Sequence, residues 1–238
     1  MGIFGRKKEP LVEPREETLA DAFGQGALER AGRVEDLTLL LCDIRGFTRL
    51  VERLSPAETV RFVNSYLDVV CPQITDAGGV IDKFMGDGVL AFFEGGGNAS
   101  RALSAARHIV EVVDRRPLGA DAPVRVGTAL HSGQVLVGTV GPRTRREYTI
   151  ISDAVNTLSR LEEMNKIYGS TIVASDATIA RVGEPERKGF DGPIHVAVRG
   201  REAGIAVYVF GAATPLGDDR DLGDRLRRFV GRDGEEPR

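Results

Sequence analysis

Apolar residues follow two different spacings in the first third of the chain. Residues 37–42, LTLLLC, show no regular alternation of apolar and polar side chains, which is typical of a strand covered on both faces. After Ser55-Pro56-Ala57-Glu58, which has the sequence of a capping box, apolar residues recur at helical spacing as far as Ile74. This order predicts a core strand followed by one long amphipathic helix.

The segment DKFMGDG separates two further apolar runs. We predict strands at 80–85 and 89–93, because Gly86-Asp87-Gly88 supplies residues that tolerate the positive φ angles of a tight turn. Hairpin chemistry alone leaves the charges unexplained, since in an isolated hairpin Asp87 is a turn former and Lys83 a solvated edge residue. Only other parts of the chain can give these charges a further role.

A second hairpin is predicted between residues 124–130 and 135–140, with His131-Ser132-Gly133-Gln134 as its turn. Before it, Asn98 is in the position of a helix cap, and apolar residues that share one helix face follow it. The order strand, helix, hairpin, helix, strand predicts an α+β fold with a ferredoxin-like βαββαβ core. In such a fold, helices cover one face of a mostly antiparallel sheet.

The remainder of the chain adds one helix and several short strands to this core. The helix is predicted to begin near Ser152-Asp153, and the strands lie near residues 171–173, 194–199 and 206–210. We divide the chain into a flexible leader with a short helix at 1–34, one folded domain at 35–211 and a charged tail at 212–238.

Composition limits the classes of partner. The chain carries 32 lysine and arginine residues against 35 aspartate and glutamate residues, and its net charge of -3 argues against a nucleic-acid partner. No apolar run approaches the roughly 18–20 residues of a membrane span, so we expect no transmembrane segment. Cys42 and Cys71 fall in an apolar strand and an apolar helix, which predicts free thiols and a cytoplasmic location.

Two carboxylates give the predicted fold a candidate site. Asp43 ends the first core strand in CDIRGFT, and Asp87 lies at the tip of the first hairpin. In a ferredoxin-like sheet this strand and this hairpin are neighbours, so the two side chains can converge. Paired carboxylates favour hard divalent cations such as Mg²⁺ or Mn²⁺, and we hypothesise a two-metal site for phosphoryl transfer.

Four segments, in order along the chain, resemble the signature segments of the class III nucleotidyl cyclase catalytic domain. They are LLLCDIRGFT, GGVIDKFMGDGVLAFF, RVGTALHSGQVLVGTVG and EYTIISDAVNTLSRLE. The resemblance extends over residues 35–211, and four ordered motifs are far more specific than one short pattern. It is strongest toward bacterial adenylate cyclases and implies a homodimer with two active sites at its interface.

The resemblance implies two sets of site residues, one from each chain. In one chain, Asp43, Asp87 and the backbone carbonyl of Ile44 would hold two divalent cations, Mg²⁺ or Mn²⁺. The other chain would supply the residues that bind ATP. These are Lys83 and Thr149 at the adenine edge, Asn156 at the ribose and Arg160 at the α-phosphate. Arg199 falls where relatives often have a lysine on the terminal phosphates, and the resemblance implies the same role for it.

Elementary chemistry agrees with these implied roles. A lysine donor and a hydroxyl acceptor complement the N1 acceptor and N6 donor of adenine, whereas guanine needs the reverse. Asn156 and Arg160 are four residues apart, so one helix face can position both the sugar and a phosphate. A solvated helix face is the alternative interpretation of this pair.

Four other residues carry structural expectations. Ser152 stands where relatives often have glycine, and we expect it to strain the turn into the third helix. Asp82 is expected to be a surface or interface charge, and Arg45 to support the metal loop. His131 is expected to be a structural residue at a strand end.

The leading hypothesis is an adenylate cyclase, a phosphorus-oxygen lyase that converts ATP to 3',5'-cyclic AMP and pyrophosphate. Two alternatives stay open. One is a cyclase for GTP or a pyrimidine nucleotide, and the other is a catalytically silent dimerisation or regulatory module. The sequence does not distinguish among the leader, an unknown partner protein, bicarbonate and the dimer equilibrium as the source of regulation.

Overall fold

A computed structural model describes residues 32–116, 124–142, 144–196 and 204–211. The helix expected in the leader, the predicted tail and Arg199 lie outside these residues. The described strands are β1 Arg33–Ile44, β2 Val80–Met85, β3 Gly88–Phe93, β4 Val126–Val140, β5 Glu147–Ile151, β6 Ile172–Ser175, β7 Phe190–Val196 and β8 Ile205–Phe210. The described helices are α1 Phe47–Val51, α2 Pro56–Asp76, α3 Asn98–Arg115, α4 Asp153–Tyr168, α5 Asp176–Ile179 and α6 Glu184–Arg187.

All of these strands belong to one sheet. Their order is β2-β3-β1-β4-β6-β8-β7, and β5 pairs with the end of β4. The pairing of β4 with β6 is parallel, and the other described pairings are antiparallel. The order β2-β3-β1-β4, connected through α2 and α3, is that of a ferredoxin-like βαββαβ core. The predicted fold class is therefore confirmed.

Strand β1 is covered on both faces. Leu40 and Cys42 point into an apolar cluster with α2 and α3, whereas Leu39 and Leu41 point into a second cluster with α4. The strand lacks alternation because both of its faces are removed from water. The two core helices thus lie on one face, and the additional helix α4 covers the opposite face.

The predicted second hairpin is wrong, because β4 is one continuous strand through the expected turn. Every residue of β1 has a partner in β4, so β1 supplies backbone hydrogen bonds across that segment. Gly133, which suggested a turn, pairs with Leu37 and does not have a positive φ angle. His131 therefore lies within the strand rather than at its end, and its buried ring places Nδ1 2.9 Å from Ser175 Oγ.

Asn98 also departs from its predicted role. Gly97, with a φ angle of 68°, precedes α3, and no side chain caps this helix. The buried Asn98 side chain instead donates from Nδ2 to the carbonyl oxygen of Asp36 at 3.1 Å and accepts from Thr38 Oγ1 at 3.1 Å. It fastens the start of α3 to β1, which is a tertiary contact that a local capping pattern does not reveal.

The long helix α2 begins as predicted. Ser55 Oγ accepts a hydrogen bond from the Glu58 amide at 3.3 Å, and Glu58 Oε2 accepts from the Ser55 amide at 2.8 Å. These two bonds complete the capping box. Both cysteines are free, as expected, and burial raises the pKa of the Cys42 thiol to about 12. Among the described helices, none combines the length and apolar character needed to cross a membrane.

We expect Asn98→Ala to lower the free energy of unfolding by about 1–3 kcal/mol, because the buried Thr38 hydroxyl and the Asp36 carbonyl each lose a hydrogen bond. Asn64→Ala, at an exposed position of α2, is the matched control and should change this free energy by less than about 0.5 kcal/mol. Urea unfolding followed by circular dichroism measures both variants. Equal stability of the two would show that Asn98 does not fasten α3 to β1.

Candidate functional site

The end of β1 and the tip of the β2–β3 hairpin meet at one rim of the sheet. Asp43 is the penultimate residue of β1, and Asp87 lies between the two hairpin strands. Gly86 has a φ angle of 66°, which glycine adopts without strain and which turns the chain into Asp87. The Ile44 amide donates to Asp87 Oδ2 at 2.9 Å, so the hairpin tip is bonded directly to the strand that carries Asp43.

This rim has the properties of a cation site. Burial raises the pKa of Asp87, and the negative charge of Asp43 raises it further, while the Ile44 amide opposes both effects. Asp43 Oδ1 is buried and accepts no hydrogen bond from an N–H group of the described residues, and Asp43 lies within hydrogen-bonding distance of the Glu162 carboxyl group. Two crowded carboxylates with an unsatisfied buried oxygen fit a divalent cation, which prefers oxygen ligands. No larger cluster of His, Cys, Asp and Glu that could hold a metal occurs in the described part of the chain.

Helix α4 brings two further charges to the rim, and sequence reasoning missed both. Lys166 Nζ lies 3.9 Å from Asp43 Oδ2 and 3.8 Å from Glu162 Oε2. Glu162 is 4% exposed, which is unusual for a carboxylate. A signal was present in the sequence, because Glu162 follows Leu158 and Leu161 at helical spacing and therefore falls on the buried face of α4.

Arg45 lies beside the rim and, with Arg125 and Lys166, lines a cavity of about 720 Å³. Its Nη1 atom is 3.1 Å from Glu162 Oε1, and its backbone amide donates to the Arg125 carbonyl at 2.8 Å. A Cβ atom at residue 127 would overlap the guanidinium, so Gly127 is what leaves room for Arg45. This position suits the expected role of Arg45 as a support for the loop after β1.

Glu162 experiences opposing influences. Burial is the largest and raises its pKa, Asp43 raises it as well, and Arg45 and Lys166 lower it. The net result is a pKa raised from 4.5 to about 8. A proton at Glu162 relieves the repulsion between its carboxyl group and Asp43 in the metal-free protein.

A second group of polar residues joins β2 to β5. Lys83 Nζ donates to Thr149 Oγ1 at 2.9 Å, so these two residues are in direct contact within one chain. Thr149 Oγ1 donates to Asp82 Oδ2 at 3.2 Å, and the Ile150 amide donates to Asp82 Oδ1 at 3.4 Å. Lys83 Nζ also lies 3.3 Å from Asp82 Oδ2. Asp82 thus accepts from three donors.

The expectation that Asp82 is a surface or interface charge is wrong. Its side chain is 0% exposed, whereas that of Lys83 is 43% exposed. The β2–β3 register shifts between Ile81 and Lys83, so Asp82 is the extra residue of a β-bulge. Burial raises the pKa of Asp82, while the bonds from Thr149, Lys83 and Ile150 lower it.

The remaining predicted site residues lie in or near α4. Asn156 is exposed and Arg160 is half-buried, and neither side chain is hydrogen-bonded or ion-paired to another described residue. Ser152 does not strain the turn, contrary to expectation. Its φ angle of -165° is extended, and its Oγ accepts from the Ala154 amide at 3.1 Å as the cap of α4. Arg199 lies outside the described residues.

Comparison with known proteins gives a consistent result. The family model described as the adenylate and guanylate cyclase catalytic domain matches residues 29–210. An adenylate cyclase of Anabaena cylindrica is 35% identical over 189 residues, which are 75% of this chain and 37% of that protein. Adenylate cyclase 1 of Rhizobium meliloti is 32% identical over 160 residues, which are 64% of this chain and 24% of that protein. The chain thus spans well under half the length of these relatives.

Solved structures of both substrate classes are similar to this chain. The guanylyl cyclase Cya2 is 31% identical with a TM-score of 0.63, over 79% of this chain and 98% of that chain. The adenylyl cyclase CyaB from P. aeruginosa is 29% identical with a TM-score of 0.64, also over 79% of this chain and 98% of that chain. The two structures support the same fold for this chain, but one is named a guanylyl cyclase and the other an adenylyl cyclase.

The raised pKa of Glu162 predicts a pH dependence of stability. Between pH 4.5 and about 8 the folded chain holds a proton at Glu162 that the unfolded chain has released. The free energy of unfolding of the metal-free protein should therefore fall as pH rises through this range. Glu162→Gln should reduce that fall, whereas Glu163→Gln at an exposed position should leave it unchanged. Urea unfolding in EDTA at several pH values measures the slopes; equal slopes in parent and Glu162→Gln would contradict a retained proton.

Proposed function

Because the chain belongs to the family of adenylate and guanylate cyclase catalytic domains, we propose that it is an adenylate cyclase that converts ATP to 3',5'-cyclic AMP and pyrophosphate. The observation that carries the choice of ATP is the contact of Lys83 Nζ with Thr149 Oγ1 at 2.9 Å. The adenylate cyclases of Anabaena cylindrica and Rhizobium meliloti among its relatives support the same choice.

The hydrogen-bonding capacity of this pair suits adenine. Of the three Lys83 donors, one is directed to Thr149 and one lies near Asp82, which leaves one for a ligand. Thr149 Oγ1 accepts from Lys83 and donates to Asp82, which leaves one lone pair. A free donor beside a free acceptor complements N1 and the 6-amino group of adenine. Guanine presents a donor at N1 and an acceptor at O6, so both contacts would be repulsive.

Specific observations bear on GTP, CTP and UTP as alternative substrates. The likeness to the guanylyl cyclase Cya2 keeps GTP as a second candidate. Cytosine presents an acceptor at N3 beside a donor at its 4-amino group, which is the same order as adenine, so hydrogen bonding alone does not exclude CTP. Uracil has the reverse order at these positions and is disfavoured for the same reason as guanine.

We also propose that Asp43, Asp87 and the backbone carbonyl of Ile44 hold two divalent cations, Mg²⁺ or Mn²⁺. When bound, such cations polarise the ribose 3'-hydroxyl and neutralise the departing pyrophosphate. The unsatisfied Asp43 Oδ1 atom supports this assignment. The bond from the Ile44 amide to Asp87 holds the two carboxylates at one rim, so the chain supplies a preorganised set of oxygen ligands.

The third part of the proposal is a homodimer whose two sites each draw on both protomers. Asn156 and Arg160 extend from α4 without a partner among the described residues, which leaves them available to a second chain. Asn156 would orient the ribose, and the Arg160 guanidinium would stabilise charge that develops on the α-phosphate. We assign Arg199 to the terminal phosphates on the family resemblance. The cytoplasmic location and the existence of a regulatory partner stay predictions.

Product analysis tests the reaction and its base. The purified protein with Mn²⁺ and ATP, GTP, CTP or UTP should form 3',5'-cyclic AMP as its main product, identified by mass spectrometry. Asp43→Ala should lower the rate at least about a hundredfold, which is typical when one group leaves a preorganised site. Asp68→Ala, at an exposed position of α2, is the control. A different cyclic nucleotide would refute the base assignment, an active Asp43→Ala protein would refute the metal site, and no product from any nucleotide would favour the silent module.

Mixed dimers test the shared sites. Coexpression of Asp43→Ala and Arg160→Ala chains with two different tags yields, after two affinity steps, a dimer with one doubly defective site and one intact site. This dimer should recover about half of the parent rate, although each homodimer is inactive. The matched control pairs Asp43→Ala with Asp87→Ala, which leaves one defect in each site and should recover nothing. Equal rates in the two mixed dimers would contradict sites built from both chains.

A further inference from the structure

Thr149 presents a hydroxyl group that by itself can either donate or accept. Such a group does not discriminate between the amino group of adenine and the carbonyl oxygen of guanine, because it can rotate to suit either. A base preference at this position therefore requires something that fixes the hydroxyl proton. The only described side chain that accepts a hydrogen bond from Thr149 Oγ1 is Asp82, at 3.2 Å.

The surroundings of Asp82 leave it no role other than acceptor. Its side chain is 0% exposed, and the Ile150 amide and Lys83 Nζ, which face its two oxygens, can only donate. The Thr149 hydroxyl must direct its proton at this carboxylate, since turning the proton outward would leave a buried carboxylate oxygen facing a lone pair. The outward side of Thr149 Oγ1 is thereby limited to accepting.

The backbone is built to allow this contact. Adjacent residues of a regular strand point to opposite faces, so Asp82 and Lys83 could not both reach one side chain on β5. The β-bulge at Asp82 removes that alternation, and both residues contact Thr149. The bulge therefore places a buried acceptor and an exposed donor on the same hydroxyl group.

We propose that Asp82 is a positioning residue that sets the base preference of the site by holding the Thr149 hydroxyl as an acceptor. The inference rests on the proposed function, since it concerns which nucleotide the same site selects. Asp82 touches no substrate in this account. It acts through Thr149, which accepts from the 6-amino group of adenine and repels the O6 atom of guanine.

Asp82→Asn is the informative variant because it reverses one hydrogen bond and keeps the size of the side chain. The Ile150 amide is fixed in the backbone and can only donate, whereas the Lys83 ammonium, on a side chain that is 43% exposed, can turn away from position 82. The new side chain therefore places its carbonyl oxygen toward Ile150 and its amino group toward Thr149. Thr149 Oγ1 then accepts from that amino group and turns its own proton outward. This reversal suits the O6 atom of guanine and opposes the amino group of adenine.

The test is the ratio of kcat/KM for ATP to kcat/KM for GTP. Asp82→Asn should lower this ratio at least about tenfold, which is a modest value for one reversed hydrogen bond in a base pocket. Asp36→Asn is the matched control and should keep the parent ratio. The Asp36 carboxylate pairs with Arg181 at 2.9 Å and makes no contact with Thr149. A purely structural role for Asp82 would lower both kcat/KM values by the same factor, and that result would overturn the proposal.

Variants at Thr149 provide a second measurement, which tests whether Asp82 acts through this hydroxyl group. Thr149→Ser keeps the hydroxyl group and should keep the ratio, whereas Thr149→Val should lose most of the preference. In the Thr149→Val background, Asp82→Asn should no longer change the ratio, because the group through which it acts is absent. An equal effect of Asp82→Asn in both backgrounds, or a Thr149→Ser protein that loses the preference, would contradict the proposal.

Binding distinguishes failure of this inference from failure of the proposed function. The α,β-methylene analogues of ATP and GTP cannot release pyrophosphate, so calorimetry with them reports base preference in a protein that performs no chemistry. A parent protein that binds the ATP analogue more tightly but forms no product would refute the proposed catalytic activity. The effect of Asp82→Asn on the ratio of the two binding affinities would then test the role of Asp82. A parent that binds the GTP analogue more tightly would overturn both the ATP assignment and the role of Asp82.

Discussion

The site depends on the hydrogen bond from the Ile44 amide to Asp87. It joins the end of the central strand β1 to the tip of the β2–β3 hairpin, 43 residues later in the chain. Burial and the nearby Asp43 both disfavour the charged form of Asp87, and this amide bond opposes them. Strand β1 pairs with β3 on one side and with β4 on the other, so the carboxylates it helps to position rest on a strand that is hydrogen-bonded along both edges.

The same hairpin contacts two different groups of polar residues. Its tip presents Asp87 to the rim of β1, while its bulged strand presents Lys83 to Thr149 on β5. In the proposed function, the first contact arranges oxygen ligands for cations, and the second arranges a donor and an acceptor for a base. In the proposed homodimer the two would belong to different active sites, which explains why one short segment carries three charges and two glycines.

Much of the fold follows from local sequence. The uninterrupted apolar run of β1, the capping box at Ser55 and the glycines around Asp87 each carry a pattern with a direct physical cause. The errors have a common cause in tertiary contacts. Gly133 has the sequence signal of a turn, but pairing with β1 along its whole length keeps β4 extended there. Asn98 has the sequence signal of a helix cap, but its side chain is hydrogen-bonded to Asp36 and Thr38 of β1 instead.

The candidate site was only partly predictable for the same reason. Sequence motifs marked the exposed and rim residues, whereas the burial of Asp82 depends on a one-residue shift in strand register. Such a shift leaves no periodic signal, because it changes which face a single residue occupies. Glu162 and Lys166 were missed because their partner Asp43 lies on another element, although a charge on the buried face of a helix is itself a signal.

The most direct test of the account is a crystal structure of the protein with Mn²⁺ and α,β-methylene-ATP, with the metal located by its anomalous signal. The account predicts Mn²⁺ at Asp43 and Asp87 of one protomer, with adenine against the partner's Lys83 and the partner's Thr149. Mn²⁺ bound away from the two carboxylates, or a base in contact with other side chains, would contradict it.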